Sequence, residues 1–259
     1  MPAPQPITVA TCDGVRLSGL HRTGRPEAAA GLALVLGHGF TNHGRTPAFQ
    51  RIAHRLTRYG AVVACDFRGH GGSTGWSTVG GDAELLDLDA VVGWARAAGY
   101  HRVASIGLSM GGAVVMRHAA VHGGVDAVVS VSAVSRWYVR DTVAMRRVHF
   151  LLETGAGRWL CRRVLRTRLG RPWLELPSSP VEVVHRIAPT PLLIVHGDHD
   201  SYFPVEHPYA LARAAGPSAE LLIVPGFGHA ESGLRPDLVD RIGHWVLETL
   251  GDPVNDQVT

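Results

Sequence analysis

The chain has 259 residues, 46% of them apolar and 18% charged, with 25 basic side chains, all arginine, against 22 acids. That length and balance suit one folded domain with room for a small insertion, and exclude a disordered chain. A net charge of only +3, with no accompanying recognition motif, argues against nucleic acid as a partner.

No apolar run reaches the ~18 residues that a transmembrane helix needs. The opening MPAPQPITVATCDG has neither a basic nor an apolar signal region, so no signal peptide and a cytoplasmic location are expected. Cys12, Cys65 and Cys161 are odd in number and match no disulfide or zinc spacing. They are expected to be isolated thiols packed as small hydrophobes.

Short Val/Ile/Leu-rich runs alternate with longer amphipathic stretches, the pattern of an α/β protein with a mainly parallel sheet. Strands at 7–11 and 15–22 flank Cys12-Asp13-Gly14, a hairpin turn. Buried-type strands follow at 32–36, 61–65, 102–107, 127–131, 192–195 and 220–224, eight strands in all. Helices are predicted at 46–59, 82–98, 110–122, 205–215 and 236–250. The gap between the strands at 127–131 and 192–195 is too long for a plain crossover. Residues 135–186, with Trp137, Tyr138, Phe150, Trp159 and Trp173, are therefore predicted to form a helical cap over the carboxyl ends of the strands, where open α/β sheets place ligands. The core is then 1–134 and 187–250, and 251–259 a polar, flexible tail.

The strongest chemical signal is Gly107-Leu108-Ser109-Met110-Gly111, between a predicted strand and a predicted helix. A turn that sharp strains its central residue, and Gly107 and Gly111 let strand and helix approach. Ser109 then projects from the sheet at a helix N-terminus, as a nucleophile must. A serine hydroxyl needs a base. Fifteen histidines select none by number, but His229 follows the last strand in the glycine-rich Pro225-Gly226-Phe227-Gly228, within reach of Ser109. The imidazole needs an acid to orient it. Asp198 and Asp200 compete for that role after the penultimate strand. Asp200, deeper in the loop, is the first choice, with Asp198 bracing the loop by an Asx-type hydrogen bond. His196, His199 and Asp200 match no metal-ligand pattern, so no metal is expected.

Acyl transfer also needs two donors for the developing oxyanion. The Met110 N–H, next to the nucleophile, is one, and the Phe40 N–H in Gly37-His38-Gly39-Phe40 is assigned as the other. His38 is expected to buttress that loop.

In this order, His38–Phe40, Asp66–Ser73 (DFRGHGGS), Gly107–Gly112, His196–Asp200 (HGDHD) and Gly226–His229 make the chain resemble the α/β-hydrolase superfamily. Within it the chain is similar to the small-capped esterase, monoglyceride-lipase-like and serine aminopeptidase-like group. The resemblance implies the fold, the catalytic set Ser109, Asp200 and His229, and no cofactor. Its G-x-x-D aspartate after the penultimate strand supports Asp200. Ser201 departs from the proline that relatives often carry after the acid. Serine at the elbow, rather than aspartate, argues against haloalkane dehalogenase or epoxide hydrolase chemistry. Carboxylic ester hydrolysis on a small-molecule acyl substrate is the first expectation. A thioesterase acting on CoA- or carrier-bound acyl groups, an amidase or peptidase, and a catalytically silent ligand-binding protein are the alternatives. Residues 136–175 carry ten arginines against three acids. An anionic substrate, an anionic lipid surface or an acidic carrier protein would complement that charge, and a solvated arginine face is the simpler alternative.

Overall fold

The computed structural model describes residues 3–251; the rest of the tail expected from 251 onward lies outside the described residues. In chain order the elements are β1 (Gln5–Ala10), β2 (Arg16–Arg22), β3 (Leu32–Gly37), α1 (Pro47–Leu56), β4 (Ala61–Cys65), α2 (Asp82–Ala97), β5 (Arg102–Leu108), α3 (Met110–Val121), β6 (Ala127–Val131), α4 (Val143–Glu153), α5 (Gly155–Arg163), α6 (Pro180–Val183), β7 (Leu192–Gly197), α7 (Glu206–Ala215), β8 (Ala219–Val224), α8 (Ala230–Gly233) and α9 (Pro236–Thr249). They build one eight-stranded sheet in the order β1-β2-β4-β3-β5-β6-β7-β8. β2 runs against both of its neighbours and the other pairs are parallel.

Composition explains the layering. β3, β4, β6 and β7 are buried along their whole length, as continuous Val/Leu/Ala runs require when helices cover both faces. On one face Leu34, Val62, Ile106 and Val129 meet Phe49 and Ile52 of α1 and Leu238 and Val246 of α9. On the other, Val35, Val63 and Val128 meet Leu88 of α2, Val114 of α3 and Leu211 of α7. α1 and α9 each open on a proline, whose missing N–H costs nothing in the first helical turn.

The chain between β6 and β7 carries α4 and α5 and then an extended stretch. Its ends are tied together, the Val181 N–H donating to the Ser135 carbonyl (2.9 Å). The Asp66–Ser73 motif and the residues after it receive this insertion. Arg168 N–H donates to the Gly69 carbonyl (2.7 Å), and Ser77 N–H to the Arg168 carbonyl (2.8 Å). Short bridges pair His70 with Thr167 and Ser77 with Leu169.

One expectation needs correction: Cys12 is exposed rather than packed, while Cys65 and Cys161 are buried. Within and just after the stretch expected as cap, Val183, Val184 and Ile187 are buried, and Pro180–Ile187 packs against α3 and α7. A short helix, α8, starts directly after His229.

Candidate active site

Everything chemical gathers at the carboxyl ends of β3, β5, β7 and β8. Ser109 joins β5 to α3 at φ 54°, ψ −115°, a conformation that costs a non-glycine residue roughly 1–3 kcal/mol. The surroundings hold it there. Its N–H donates to the Val131 carbonyl (2.8 Å), and its carbonyl accepts from the Gly112 and Ala113 N–H groups (2.9 and 3.2 Å). The flanking glycines are sterically necessary. A Cβ on Gly107 would lie 2.1 Å from the Gly111 carbonyl oxygen, and one on Gly111 would lie 2.4 Å from the Gly37 carbonyl oxygen. Both obstacles are backbone. Gly107→Ala is therefore expected to destabilise the fold by about 3 kcal/mol, as overpacking against immovable atoms does, and the urea midpoint of unfolding measures it.

His229 Nδ1 lies 2.8 Å from Asp200 Oδ2 and its Nε2 lies 2.9 Å from Ser109 Oγ. An ionised carboxylate only accepts, so the Nδ1–H donates to Asp200, and Nε2 is left to accept the Ser109 hydroxyl proton. Asp200 is nearly inaccessible. Its Oδ1 accepts from the Tyr202 and Phe203 N–H groups (2.8 and 3.0 Å), which frees Oδ2 for the histidine. Burial opposes ionisation of this carboxyl. The hydrogen bond and charge of His229 and the two backbone donors outweigh burial and hold it below the usual carboxylate range.

The imidazole is also fixed from its faces. Tyr202 stacks on it at 4.2 Å between centroids, and Phe203 meets it edge-on at 5.5 Å. The loop that carries it is pinned by the Ala230 N–H donating to Ser132 Oγ (3.1 Å).

Asp198, the competing carboxylate, is exposed and accepts the Gly226 N–H at 2.7 Å. It braces the loop as expected, but by tying the β7 loop to the β8 loop rather than by a local Asx turn. His196 is buried and directs Nε2 at the Phe203 carbonyl (2.8 Å). Among the described residues no group of three His, Cys, Asp or Glu side chains could hold a metal ion.

On the other side of Ser109 lies the loop after β3. His38 is fully buried there. Its Nδ1–H donates to the Gly39 carbonyl (2.9 Å) and its Nε2 accepts the Phe67 N–H (2.9 Å). Burial pushes its pKa down to about 4, so it stays neutral and acts as the expected buttress. Phe40 and Met110 line one cavity with Ser109 and His229. The Met110 N–H sits in the first helical turn, where donors have no partner within the helix.

Glu231 is the residue that sequence reasoning missed. Two positions after His229, it is 8% exposed, lines the same cavity and accepts the Gly39 N–H at 2.7 Å. Burial raises its pKa, and the hydrogen bond from Gly39 opposes that rise. With Gly39 committed to Glu231, the Phe40 N–H, which has no partner among the described residues, is a free donor of this loop. Glu231→Ala would strand a buried N–H at a cost of about 1–3 kcal/mol and loosen the loop. The expected result is a roughly 10- to 100-fold lower kcat with KM little changed, and near-normal kcat in Glu231→Gln, which keeps an acceptor. Steady-state kinetics on one ester separate the two constants.

The cavity is about 1080 Å³, large enough to bury a whole small molecule. Ser109 lines it together with Trp137, Met145, Val148, Leu151 and Trp173 from the insertion. Trp137 is oriented by its Nε1–H, which donates to the Pro177 carbonyl (2.7 Å).

A sheet of this order, with a strained serine between β5 and α3, defines the α/β-hydrolase class. Within it the chain belongs to the serine aminopeptidase S33 family, whose model matches residues 28–159. A probable proline iminopeptidase of Leptolyngbya boryana is 32% identical over 82 residues, 31% of this chain and 25% of the relative. That match spans only a quarter of the relative's length.

Solved structures agree along nearly the whole chain. An esterase of Pyrococcus furiosus superposes with a TM-score of 0.72 at 21% identity, covering 95% of this chain and 92% of its own. The α/β hydrolase GrgF of Penicillium sp. sh18 gives 0.71 at 20% identity, over 96% and 98%. A serine hydrolase without lid from Xanthomonas campestris gives 0.65 at 18% identity, over 98% of both chains. At these identities the likeness establishes the fold.

Proposed function

We propose that the protein hydrolyses carboxylic esters through an acyl-enzyme formed on Ser109. The observation that carries this reading is the unbroken hydrogen-bond chain from Asp200 through His229 to Ser109, opening into a cavity large enough for an acyl substrate. His229 Nε2 takes the hydroxyl proton as Oγ bonds to the acyl carbon. The tetrahedral oxyanion is held by the Met110 and Phe40 N–H groups. The carbon–oxygen bond to the alcohol then breaks, and the imidazolium gives its proton to the departing oxygen. Water repeats the sequence: His229 takes its proton, hydroxide adds to the acyl carbon, and Ser109 leaves reprotonated with the acid released. Asp200 remains ionised throughout and holds the imidazole in the one useful tautomer.

In this reading the cap expected at 135–186 is formed by its part up to Ser179, since Pro180–Ile187 packs against α3 and α7. The aromatic and aliphatic parts of the walls, Trp137, Met145, Val148, Leu151 and Trp173, suit an apolar acyl chain. A series of p-nitrophenyl esters from acetyl to dodecanoyl tests the proposal. Turnover with an optimum at intermediate or long chains supports it. No turnover of any ester by folded protein, with turnover of acyl-CoA or of aminoacyl p-nitroanilides, would replace the ester by a thioester or an amide.

A further inference from the structure

The insertion is where the molecule leaves apolar side chains uncovered. Among the described residues, seven of the ten exposed large apolar side chains fall between residues 138 and 176. Leu174 is fully exposed, Trp159 is 61% exposed, and Phe150, Val164 and Leu176 are more than half exposed. They have a helical logic. Val143, Arg147 and Phe150 recur along the exposed side of α4, and Trp159, Arg162 and Arg163 along that of α5, at the spacing of one helix face. Folding would bury such residues if the core needed them.

Charge sharpens the pattern. Residues 136–175 hold ten arginines and three acids, while the remainder of the chain is net acidic. Several arginines are spent inside the fold. Arg158 donates to the Leu169 carbonyl (2.9 Å) and also to that of Gly170. Arg168 binds the Gly75 carbonyl (3.2 Å). Arg140 pairs with Glu153 (2.5 Å). Arg147, Arg162, Arg163, Arg166 and Arg171 have no acidic partner among the described residues, and all five are exposed. Tyr138, Arg147 and Arg171 both line the cavity and reach solvent, so its mouth opens on this same surface.

We infer that the outer face of the insertion docks on an anionic lipid surface and presents the cavity mouth to it. The chemistry fits on both counts. Tryptophan, phenylalanine and leucine settle at the headgroup–acyl boundary without needing a shaped partner, and guanidinium groups beside them neutralise anionic headgroups. An acidic protein would satisfy the arginines but leave Leu174 and Trp159 against a polar surface. The asymmetry of charge also orients the molecule, since its acidic remainder is repelled from the surface that attracts the insertion. The docking rests on the proposed hydrolase reading only in naming the substrate class, a lipid-phase acyl ester, and not for the binding itself.

The test is flotation of full-length protein with vesicles of phosphatidylcholine alone and of equimolar phosphatidylcholine and phosphatidylglycerol. Ser109→Ala protein is floated in parallel, so that binding is read without turnover. Binding to the anionic vesicles is expected, at least about tenfold tighter than to neutral ones and weakened by salt. A double variant, Arg162→Glu with Arg163→Glu, should lose about tenfold or more in partitioning. Trp159→Ser with Leu174→Ser should lose about tenfold at unchanged charge. None of these four side chains lines the cavity, so turnover of a water-soluble ester should persist. Equal binding to both vesicle types, or binding to neither by folded protein, overturns the proposal. So does an apolar-dependent dimer or salt-sensitive binding to an acidic carrier protein without vesicle binding. Loss of ester turnover with intact flotation would instead strike the hydrolase reading alone.

Discussion

Ser109→Ala is expected to lower kcat on a p-nitrophenyl ester by roughly 10⁴- to 10⁶-fold, while the fold and the affinity for a non-hydrolysable acyl ligand persist. The size follows from what is removed. In the proposed mechanism no acyl-enzyme forms without Oγ, and the imidazole, still held by Asp200 at 2.8 Å, has only water to activate. The proposed oxyanion donors of Met110 and Phe40 remain, so a residual rate above the uncatalysed one should survive. A second substitution separates chemistry from folding. Ser109 sits at φ 54°, where glycine is at ease and alanine is not. Ser109→Gly should therefore be as inactive as Ser109→Ala yet unfold at a higher urea concentration, by about 1 kcal/mol where relief of strain exceeds glycine's entropic cost. Full activity in Ser109→Ala would remove the nucleophile from the mechanism. An inactive Ser109→Gly that is also less stable would show that the strain is not stored at this residue.

How far the site could be read from the sequence follows from how local each requirement is. The elbow was legible because its geometry is steric. A Cβ on Gly107 or Gly111 would lie only 2.1 or 2.4 Å from a backbone oxygen, so the need is written into five consecutive residues. The central strands were legible because full burial on two faces leaves runs such as Leu32–Gly37 nothing but apolar residues. Glu231 was not, because its partner Gly39 lies 192 residues away and nothing in His-Ala-Glu marks a carboxylate that the fold will bury. The role of the Asp66–Ser73 motif was hidden for the same reason: the strand-like partner it offers, residues 167–169, lies in the insertion. Pro180–Ile187 carried a signal that went unused. Ser179-Pro180-Val181-Glu182 has the S-x-x-E form of a helix start, and Glu182 Oε2 does accept the Ser179 N–H at 2.6 Å. Exposure on the insertion is a tertiary property. Trp159 and Trp173 looked alike in sequence, yet one faces solvent and the other lines the cavity.

Asp200→Asn is expected to cost about 10⁴-fold in kcat, the scale seen when the orienting acid of a serine hydrolase becomes an amide. The geometry dictates why. Two backbone N–H groups, from Tyr202 and Phe203, point at Oδ1, so an asparagine must turn its oxygen to them and its NH₂ to His229. The imidazole then meets a donor at Nδ1, takes its proton on Nε2 instead, and confronts the Ser109 hydroxyl with an N–H rather than a lone pair. Asp198 is the control. It accepts only the Gly226 N–H from an exposed position, so Asp198→Asn, which keeps an acceptor, should change kcat by less than about threefold. Equal losses in the two variants would undo the assignment of Asp200. The carboxyl also leaves a mark on stability. Its folded pKa is depressed, so its ionised form contributes stability above the ordinary aspartate range. That contribution is lost as pH falls through the depressed folded value. Asp200→Asn should remove it, leaving the variant less stable than wild type near neutrality, with the gap narrowing as both are acidified. Urea midpoints across an acid series would read that convergence directly, and parallel curves would mean that the His229–Asp200 pair holds no net charge-dependent stability.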